Sequence, residues 1–168
     1  MRLLALAAAL AVAAAPALAA VPPPRVKAQS FEQLAKPLPL PYDEQADGAA
    51  AVAKARARAR ATNRLLLVDL GGNWCLDCRI LAGTIELPEV KAWVRRHYEV
   101  VTVDTGRHDK NLGIQSAYGL ADQKAVPNLL VIDPRTGKLL NRGEAISLGE
   151  ASLMRPQQMA DLLAKWAK

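Results

Sequence analysis

Both cysteines of this 168-residue chain, Cys75 and Cys78, stand three positions apart, where an apolar run over residues 65–70 gives way to a predicted helix. A thiol at the beginning of a helix faces unpaired backbone N–H groups and the positive end of the helix dipole, which favour the thiolate. The second thiol, one helical turn away, can attack a disulfide formed at the first. The spacing therefore predicts a dithiol/disulfide couple that exchanges with disulfides of other proteins, rather than a structural staple.

The first twenty residues have the composition of an export signal. Arg2 supplies a short basic start, residues 3–15 form an apolar run, and residues 17–19 fit a small-x-small cleavage site. Pro16 and the proline-rich continuation argue against a membrane anchor, although an uncleaved anchor is the alternative. We therefore expect residues 1–19 to be a cleaved signal peptide and the mature protein to be periplasmic.

Residues 20–46 read as a proline-rich N-terminal arm. Six prolines in this segment remove backbone donors and favour extended geometry, so we expect the arm to be exposed. Phe31 and Leu34 could still dock on the domain, since a helical turn from Ser30 is possible. No later stretch is long and apolar enough to span a bilayer.

Downstream of the arm, helix and strand patterns alternate. An alanine-rich helix is predicted to start at Asp47 or Asp43 and to run to about Thr62, and Pro88 suits the first turn of a helix that runs to about His97. The other predicted elements are a buried strand over 65–70, a helix over 75–82 that breaks near Gly83-Thr84, a strand over 98–103, a short helix over 112–118, strands over 128–132 and 138–141 joined by a turn, and a closing helix that starts at about residue 155 and ends at 166.

The alanine-rich helix carries alternating cations, Lys54, Arg56, Arg58 and Arg60. On a helix this spacing divides them between two opposed sides, so we interpret them as a solvated surface with partly buried stems. Binding to an anionic lipid surface or an acidic partner is the alternative. Export argues against nucleic acid as a partner, in spite of the net charge of +6.

Four local features resemble the thioredoxin superfamily over roughly residues 47–168. They are a strand acid six residues before the first cysteine, the cysteine motif with its tryptophan, a Val-Pro segment before the last strands and a turn glycine: Asp69, Trp74-Cys75-Leu76-Asp77-Cys78, Val126-Pro127 and Gly137. The resemblance implies an α/β thioredoxin-like fold, with a central mixed β-sheet of four to five strands flanked by helices on both faces. The family's extra first strand has no clear copy here.

The resemblance also implies roles for the thiols and the acid. Cys75 would be the exposed nucleophile that forms a mixed disulfide, and the more buried Cys78 would resolve it. Asp69 would be a buried carboxyl group with a raised pKa that accepts the Cys78 proton through water. A strand-edge aspartate that only bonds backbone is the alternative for Asp69.

Three further residues are implied to meet the substrate. Pro127 would follow a cis peptide bond, and the backbone of Val126 would pair with an extended substrate segment beside the thiols. Trp74 would shield the thiols and offer an apolar contact to partners, with plain packing as the alternative.

The activity implied by the resemblance is thiol–disulfide exchange with protein thiols and disulfides, by a monomer that needs no metal or organic cofactor. Leu76-Asp77 stands where thioredoxin has Gly-Pro. An acid beside the thiols opposes thiolate formation and makes the couple more reducing, so we expect a reductant. An exported reductant would need recharging by a membrane electron donor. An oxidase of the same fold is the alternative direction.

Two other classes of function compete with this one. Cys75 and Cys78 could be Cu(I) ligands of a periplasmic copper-handling protein, but no Met or His lies within the cysteine segment. A structural zinc site would need four ligands and finds two cysteines. A binding module without redox activity would have no reason to keep both thiols.

Overall fold

The computed structural model describes residues 21–167, so the predicted signal peptide lies outside the described residues. The strands are β1 (Leu65–Gly71), β2 (Tyr98–Asp104) and β3 (Asn128–Ile132), and the α-helices are α1 (Gly48–Ala61), α2 (Leu76–Ile85), α3 (Pro88–His97), α4 (Gly113–Ser116) and α5 (Pro156–Trp166). Short 3-10 helices lie at Phe31–Gln33, Arg142–Glu144 and Ala151–Leu153. Within residues 21–167, no helix is both long enough and apolar enough to cross a membrane.

The sheet is mixed and has β1 at its centre. β2 pairs with β1 in parallel and β3 pairs with it antiparallel. Because successive strand residues point to opposite faces, β1 supplies two cores. Leu67 packs in the larger core with α2, α3, α5 and the arm, whereas Leu66, Val68 and Leu70 pack beneath α1. Asp69 has the parity of Leu67 and therefore faces the same side as α2.

The predicted number of strands, four to five, is wrong, because the sheet within residues 21–167 has three. The sequence predicts a partner strand over residues 138–141. In the structure the turn forms, and Leu139 makes a single bridge with Ile132. Two backbone hydrogen bonds accompany the bridge, from Asp133 N–H to Lys138 O and from Leu140 N–H to Val131 O. The segment therefore pairs with the end of β3, but this ladder is too short to make a fourth strand.

Asn141 explains why that ladder stops. Its Oδ1 accepts a hydrogen bond from the backbone N–H of Val131 at 2.9 Å, and its Nδ2 donates to the carbonyl oxygen of Leu129 at 2.9 Å. The amide side chain therefore takes the place of a strand backbone along β3. The chain then turns at once into the 3-10 helix Arg142–Glu144.

We expect Asn141→Ala to lower the free energy of unfolding by about 3 kcal/mol, because it leaves a buried N–H and a buried C=O without partners. Urea unfolding of the oxidised protein measures this loss. Ser147→Ala, at an exposed site in the same segment, is the control and should change stability by less than about 0.5 kcal/mol. Equal effects of the two changes would contradict this account of the sheet edge.

Helix α2 continues through Gly83-Thr84, where the sequence predicts a break. Gly83 stays helical because the arm packs directly against it. A Cβ atom at Gly83 would lie 3.2 Å from side-chain atoms of both Leu34 and Leu38. The glycine thus marks a close approach between two segments and does not end the helix.

The proline-rich arm is largely extended, but it is not the exposed segment that the sequence predicts. Four of its apolar side chains are buried against the domain: Val26, Leu34, Leu38 and Tyr42. The guanidinium group of Arg79 on α2 donates to the carbonyl oxygens of Leu38 and Pro39, at 3.1 and 3.3 Å. The arm is therefore fixed to the helix that begins at the cysteines.

The cations of α1 divide between two surroundings. Arg56 donates to the carbonyl oxygen of Pro134, and Arg58 pairs with Glu99 on β2. Lys54 and Arg60 are exposed. Arg56 and Arg58 thus fasten α1 to neighbouring segments of the domain.

Candidate active site

The two cysteines meet where β1 leads into α2. Cys75 is the N-cap residue of α2, and its sulfur accepts a hydrogen bond from the backbone N–H of Cys78 at 3.1 Å. The two residues form a disulfide, with Cα atoms 5.3 Å apart. Cys75 keeps 6 % of its surface exposed, whereas Cys78 has none. Of the two sulfurs, the one at the helix N-terminus is therefore the one that solvent can reach.

The Val-Pro segment lies directly against the outer sulfur. The peptide bond between Val126 and Pro127 is cis, as the resemblance implies. The carbonyl oxygen of Val126 lies 3.6 Å from the sulfur of Cys75. Fifty-one residues apart in sequence, the two segments thus meet at the sulfur of Cys75.

Trp74 stands beside the cysteines with 44 % of its surface exposed. Its indole N–H donates to the carbonyl oxygen of Gly106 at 2.7 Å, and the guanidinium carbon of Arg107 lies 5.0 Å from the ring centroid. The loop after β2 therefore holds the indole in place. The indole is thus packed against this loop and half-exposed, and its contact with a partner stays a prediction.

Asp69 is buried on β1, with 2 % of its surface exposed. Its Oδ1 accepts a hydrogen bond from the hydroxyl group of Tyr42 at 2.9 Å. Burial raises the pKa of Asp69 to about 7, and the Tyr42 hydrogen bond works against that rise. The pKa of Tyr42 is itself raised, first by burial and then by the neighbouring Asp69 carboxylate, so that Tyr42 is a neutral donor.

Sequence reasoning missed Tyr42 and the residue that fixes it, Asn73. The backbone N–H of Tyr42 donates to Asn73 Oδ1 at 3.1 Å, and Asn73 Nδ2 donates back to the Tyr42 carbonyl oxygen at 2.8 Å. Tyr42 packs in one buried cluster with Cys75 and Cys78. The available signal was the recurrence of apolar residues in the arm at positions 34, 38 and 42.

Gly71, at the end of β1, leaves the space in which these groups meet. A Cβ atom there would lie 2.5 Å from the Tyr42 hydroxyl oxygen and 2.8 Å from the sulfur of Cys78. Both distances are shorter than real Cβ contacts. The missing side chain thus allows the tyrosine hydroxyl and the inner sulfur to converge from two sides of one position.

Asp77 lies between the cysteines in sequence, and its carboxylate binds the backbone of a neighbouring segment. Its Oδ1 accepts a hydrogen bond from the backbone N–H of Ser152 at 2.7 Å. This contact ties α2 to the 3-10 helix Ala151–Leu153. The neighbouring side chains of Leu76 and Leu153 are exposed, at 52 and 80 %.

Among residues 21–167, no group of three or more His, Cys, Asp and Glu side chains is arranged to hold a metal ion. A Cu(I) site would need only the two sulfurs, so that alternative stays a hypothesis.

Comparison with known proteins agrees with this geometry. A sequence profile described as thioredoxin-like matches residues 47–134. The crystal structure of a disulphide isomerase from Xylella fastidiosa Temecula1 shares 37% sequence identity, with coverage of 76% of this chain and 97% of that chain and a TM-score of 0.69. A protein of unknown function from Pseudomonas aeruginosa shares 22% identity, with coverage of 71% and 84% and a TM-score of 0.39. A search of curated proteins finds no match.

The fold and the closely spaced cysteine pair define a thioredoxin-like protein. With the profile match and the Xylella structure, the chain belongs to the thioredoxin-like family.

Proposed function

We propose that this protein is an exported thiol–disulfide oxidoreductase that reduces disulfides in other proteins. One observation carries the proposal. The sulfur of Cys75 caps the N-terminus of α2, keeps a small exposed surface and lies 3.6 Å from the carbonyl oxygen before Pro127, while Cys78 is buried behind it. This is the arrangement that lets one sulfur meet a substrate and the other wait to resolve the product.

The reaction follows from the order of the sulfurs. In the reduced protein, the Cys75 thiolate attacks a substrate disulfide, forms a mixed disulfide and releases one substrate thiolate. The Cys78 thiolate then attacks Cys75, which closes the internal disulfide and releases the second substrate thiolate. Two electrons pass from the protein to the substrate, and Asp69 accepts the proton that Cys78 must lose.

The surface around Cys75 supports a polypeptide as the substrate. The backbone of Val126 lies beside the sulfur, where an extended segment could pair with it. Exposed apolar side chains lie next to this position: Trp74 and Leu76 flank Cys75 in sequence, and Leu153 follows the serine whose backbone binds Asp77. Such a rim suits the apolar residues of a misfolded or partly folded chain.

Three further elements belong to the proposal. We infer that residues 1–19 direct export to the periplasm, that residues 20–46 form an arm on a domain of residues 47–168, and that the protein acts as a monomer. We infer a reducing direction, because the negative charge of Asp77 disfavours the thiolates of the reduced form. A periplasmic reductant would then receive its electrons from a membrane donor. The name of the Xylella protein, a disulphide isomerase, supports protein disulfides as the substrate class.

We expect the reduction potential of the Cys75–Cys78 couple to lie near the thioredoxin value of about −270 mV. Equilibration of the purified protein with thiol buffers, followed by alkylation of free thiols and mass measurement, gives this potential. A value near about −120 mV would instead make the protein an oxidase and would reject the reducing direction.

A further inference from the structure

The N-terminal arm brings the hydroxyl group of Tyr42 to the buried acid Asp69, close to the inner sulfur. The Tyr42 hydroxyl donates to Asp69 Oδ1 at 2.9 Å, and it converges with the sulfur of Cys78 on the space left by Gly71. Tyr42 is 3 % exposed, Asp69 2 % and Cys78 0 %, so the three groups meet out of contact with bulk water. A buried donor bonded to an acid beside a thiol can set how readily that acid takes the thiol's proton.

The position of Tyr42 is fixed from three directions. Asn73 makes two hydrogen bonds with its backbone, at 3.1 and 2.8 Å. The Thr102 hydroxyl on β2 donates to the carbonyl oxygen of Pro41 at 2.8 Å, and Arg79 holds the arm a few residues earlier. An ordered ring with so many restraints keeps its hydroxyl group aimed at Asp69 at little further cost in entropy.

We propose that Tyr42 is a positioning residue for the resolving step, with its hydroxyl group holding the Asp69 carboxylate that accepts the proton of the Cys78 thiol. The N-terminal arm then takes part in the redox step and does not only cover the core. This inference rests on the proposed function, because it concerns the step at which Cys78 releases the substrate.

The resolving step begins from the mixed disulfide between Cys75 and the substrate. The Asp69 carboxylate, held by the Tyr42 hydroxyl group, takes the proton of the Cys78 thiol through water. The Cys78 thiolate attacks the sulfur of Cys75, and a Cys75–Cys78 bond replaces the bond between Cys75 and the substrate. The electron pair of the broken bond leaves on the substrate sulfur, which takes a proton from water.

Asp69 can release its new proton on the side away from the substrate. It lies at the base of a cleft of about 410 Å³ between the arm, α3 and β2. None of residues 74–78 or 126–127 lines this cleft. The charged groups that line it are Arg64, Glu86, Lys91, Arg95 and Glu99, and the remaining charges near Tyr42 are Asp104 with its partner Lys110.

The test uses Ellman's reagent as the disulfide, because its two steps report the two cysteines separately. Reduced protein releases one chromophoric thiolate when Cys75 forms the mixed disulfide and a second when Cys78 resolves it. Stopped-flow measurement across the neutral pH range gives the rate of each phase. We expect the second phase of the wild-type protein to accelerate as pH rises and Asp69 ionises.

Tyr42→Phe removes the hydroxyl and keeps the ring. We expect its first phase to stay within about twofold of wild type and its second phase to be about tenfold slower at neutral pH. Loss of a donor to the carboxylate also raises the pKa of Asp69. The inflection in the pH dependence of the second-phase rate should therefore move up by about one pH unit. Asp69→Asn should abolish the inflection, and adding Tyr42→Phe to it should cause no further loss.

Two more variants keep the test decisive. Tyr98→Phe removes another buried tyrosine hydroxyl, which donates to the Leu163 carbonyl oxygen, and should leave the inflection in place. Replacement of Tyr42 by 3-fluorotyrosine keeps the shape of the ring and makes the hydroxyl a stronger donor, so the inflection should move down. This second variant gives a result even where Tyr42→Phe does not fold.

The outcomes separate the two proposals. A wild-type second phase with an inflection that neither change at Tyr42 displaces would overturn the role of Tyr42 and leave the proposed function standing. A slower second phase with an unmoved inflection would do the same, since it would mark a structural effect only. Absence of a second phase in the wild-type protein would overturn both.

Discussion

Replacing Cys75 by serine should reduce the rate at which the protein reduces a disulfide substrate to the background rate. A serine hydroxyl is not ionised at neutral pH and cannot form a mixed disulfide, so the first bond of the exchange is never made. Insulin reduction in the presence of dithiothreitol measures the loss. The variant should fold, because the change is nearly isosteric at a residue that keeps an exposed edge.

Cys78→Ser is the matched control for this prediction. It leaves the nucleophile at the N-terminus of α2 and removes the buried sulfur that resolves the intermediate. We expect it to accumulate a mixed disulfide with the substrate, visible as a protein adduct that a reducing agent cleaves. Adducts on Cys78 in the Cys75→Ser protein, with activity retained, would reverse the assignment of the two roles.

Asp69→Asn should raise the free energy of unfolding by up to about 4 kcal/mol at about pH 8. The pKa of Asp69 is about 7 in the folded protein and near 3.8 in the unfolded chain, a rise that burial causes. The folded state therefore holds the proton across a range of pH in which the unfolded state has lost it. Each pH unit in that range costs the wild-type protein about 1.4 kcal/mol, and the neutral amide of asparagine avoids this cost.

The direction of the pKa shift of Asp69 determines the pH range in which the two proteins differ in stability. Below about pH 3.8 both states of the wild-type protein are protonated, so the two proteins should differ little. The gap should open as pH rises from there to about 7 and stay constant above it. Urea unfolding of the disulfide form at several pH values measures it. Asp122→Asn, at an exposed site, controls for the loss of a negative charge, and a gap of the same size there would contradict the role of burial.

The effects of Asp69→Asn on stability and on the second phase of exchange would together show the function of the buried acid. A carboxyl group that lowers stability at neutral pH is retained where activity depends on it, which is the usual relation between stability and an active site. Asp69 has no cationic partner to relieve the cost of burial; the Tyr42 hydroxyl is the side-chain group that offsets it. The arm thus sets the protonation of the acid as well as covering the core.

Local sequence determined the parts of the site that depend on neighbours along the chain. The cysteine pair at the end of a buried strand predicted a sulfur at a helix N-terminus, and Cys75 caps α2. Asp47 and Pro88 marked the starts of α1 and α3 correctly, because capping and the fixed φ of proline act within one turn. The cis bond before Pro127 came from the resemblance to a family, and the structure has it.

Tertiary structure alone decided three other features. The break predicted at Gly83 is absent because Leu34 and Leu38 pack on that glycine, and the strand predicted over residues 138–141 is absent because the Asn141 side chain takes its place. The contact between Tyr42 and Asp69 joins residues 27 positions apart. The apolar residues of the arm recur at positions 34, 38 and 42, but this spacing does not say which surface of the domain they will cover. The cysteine chemistry is therefore local in this chain, whereas the environment of its acid is set by where the arm packs.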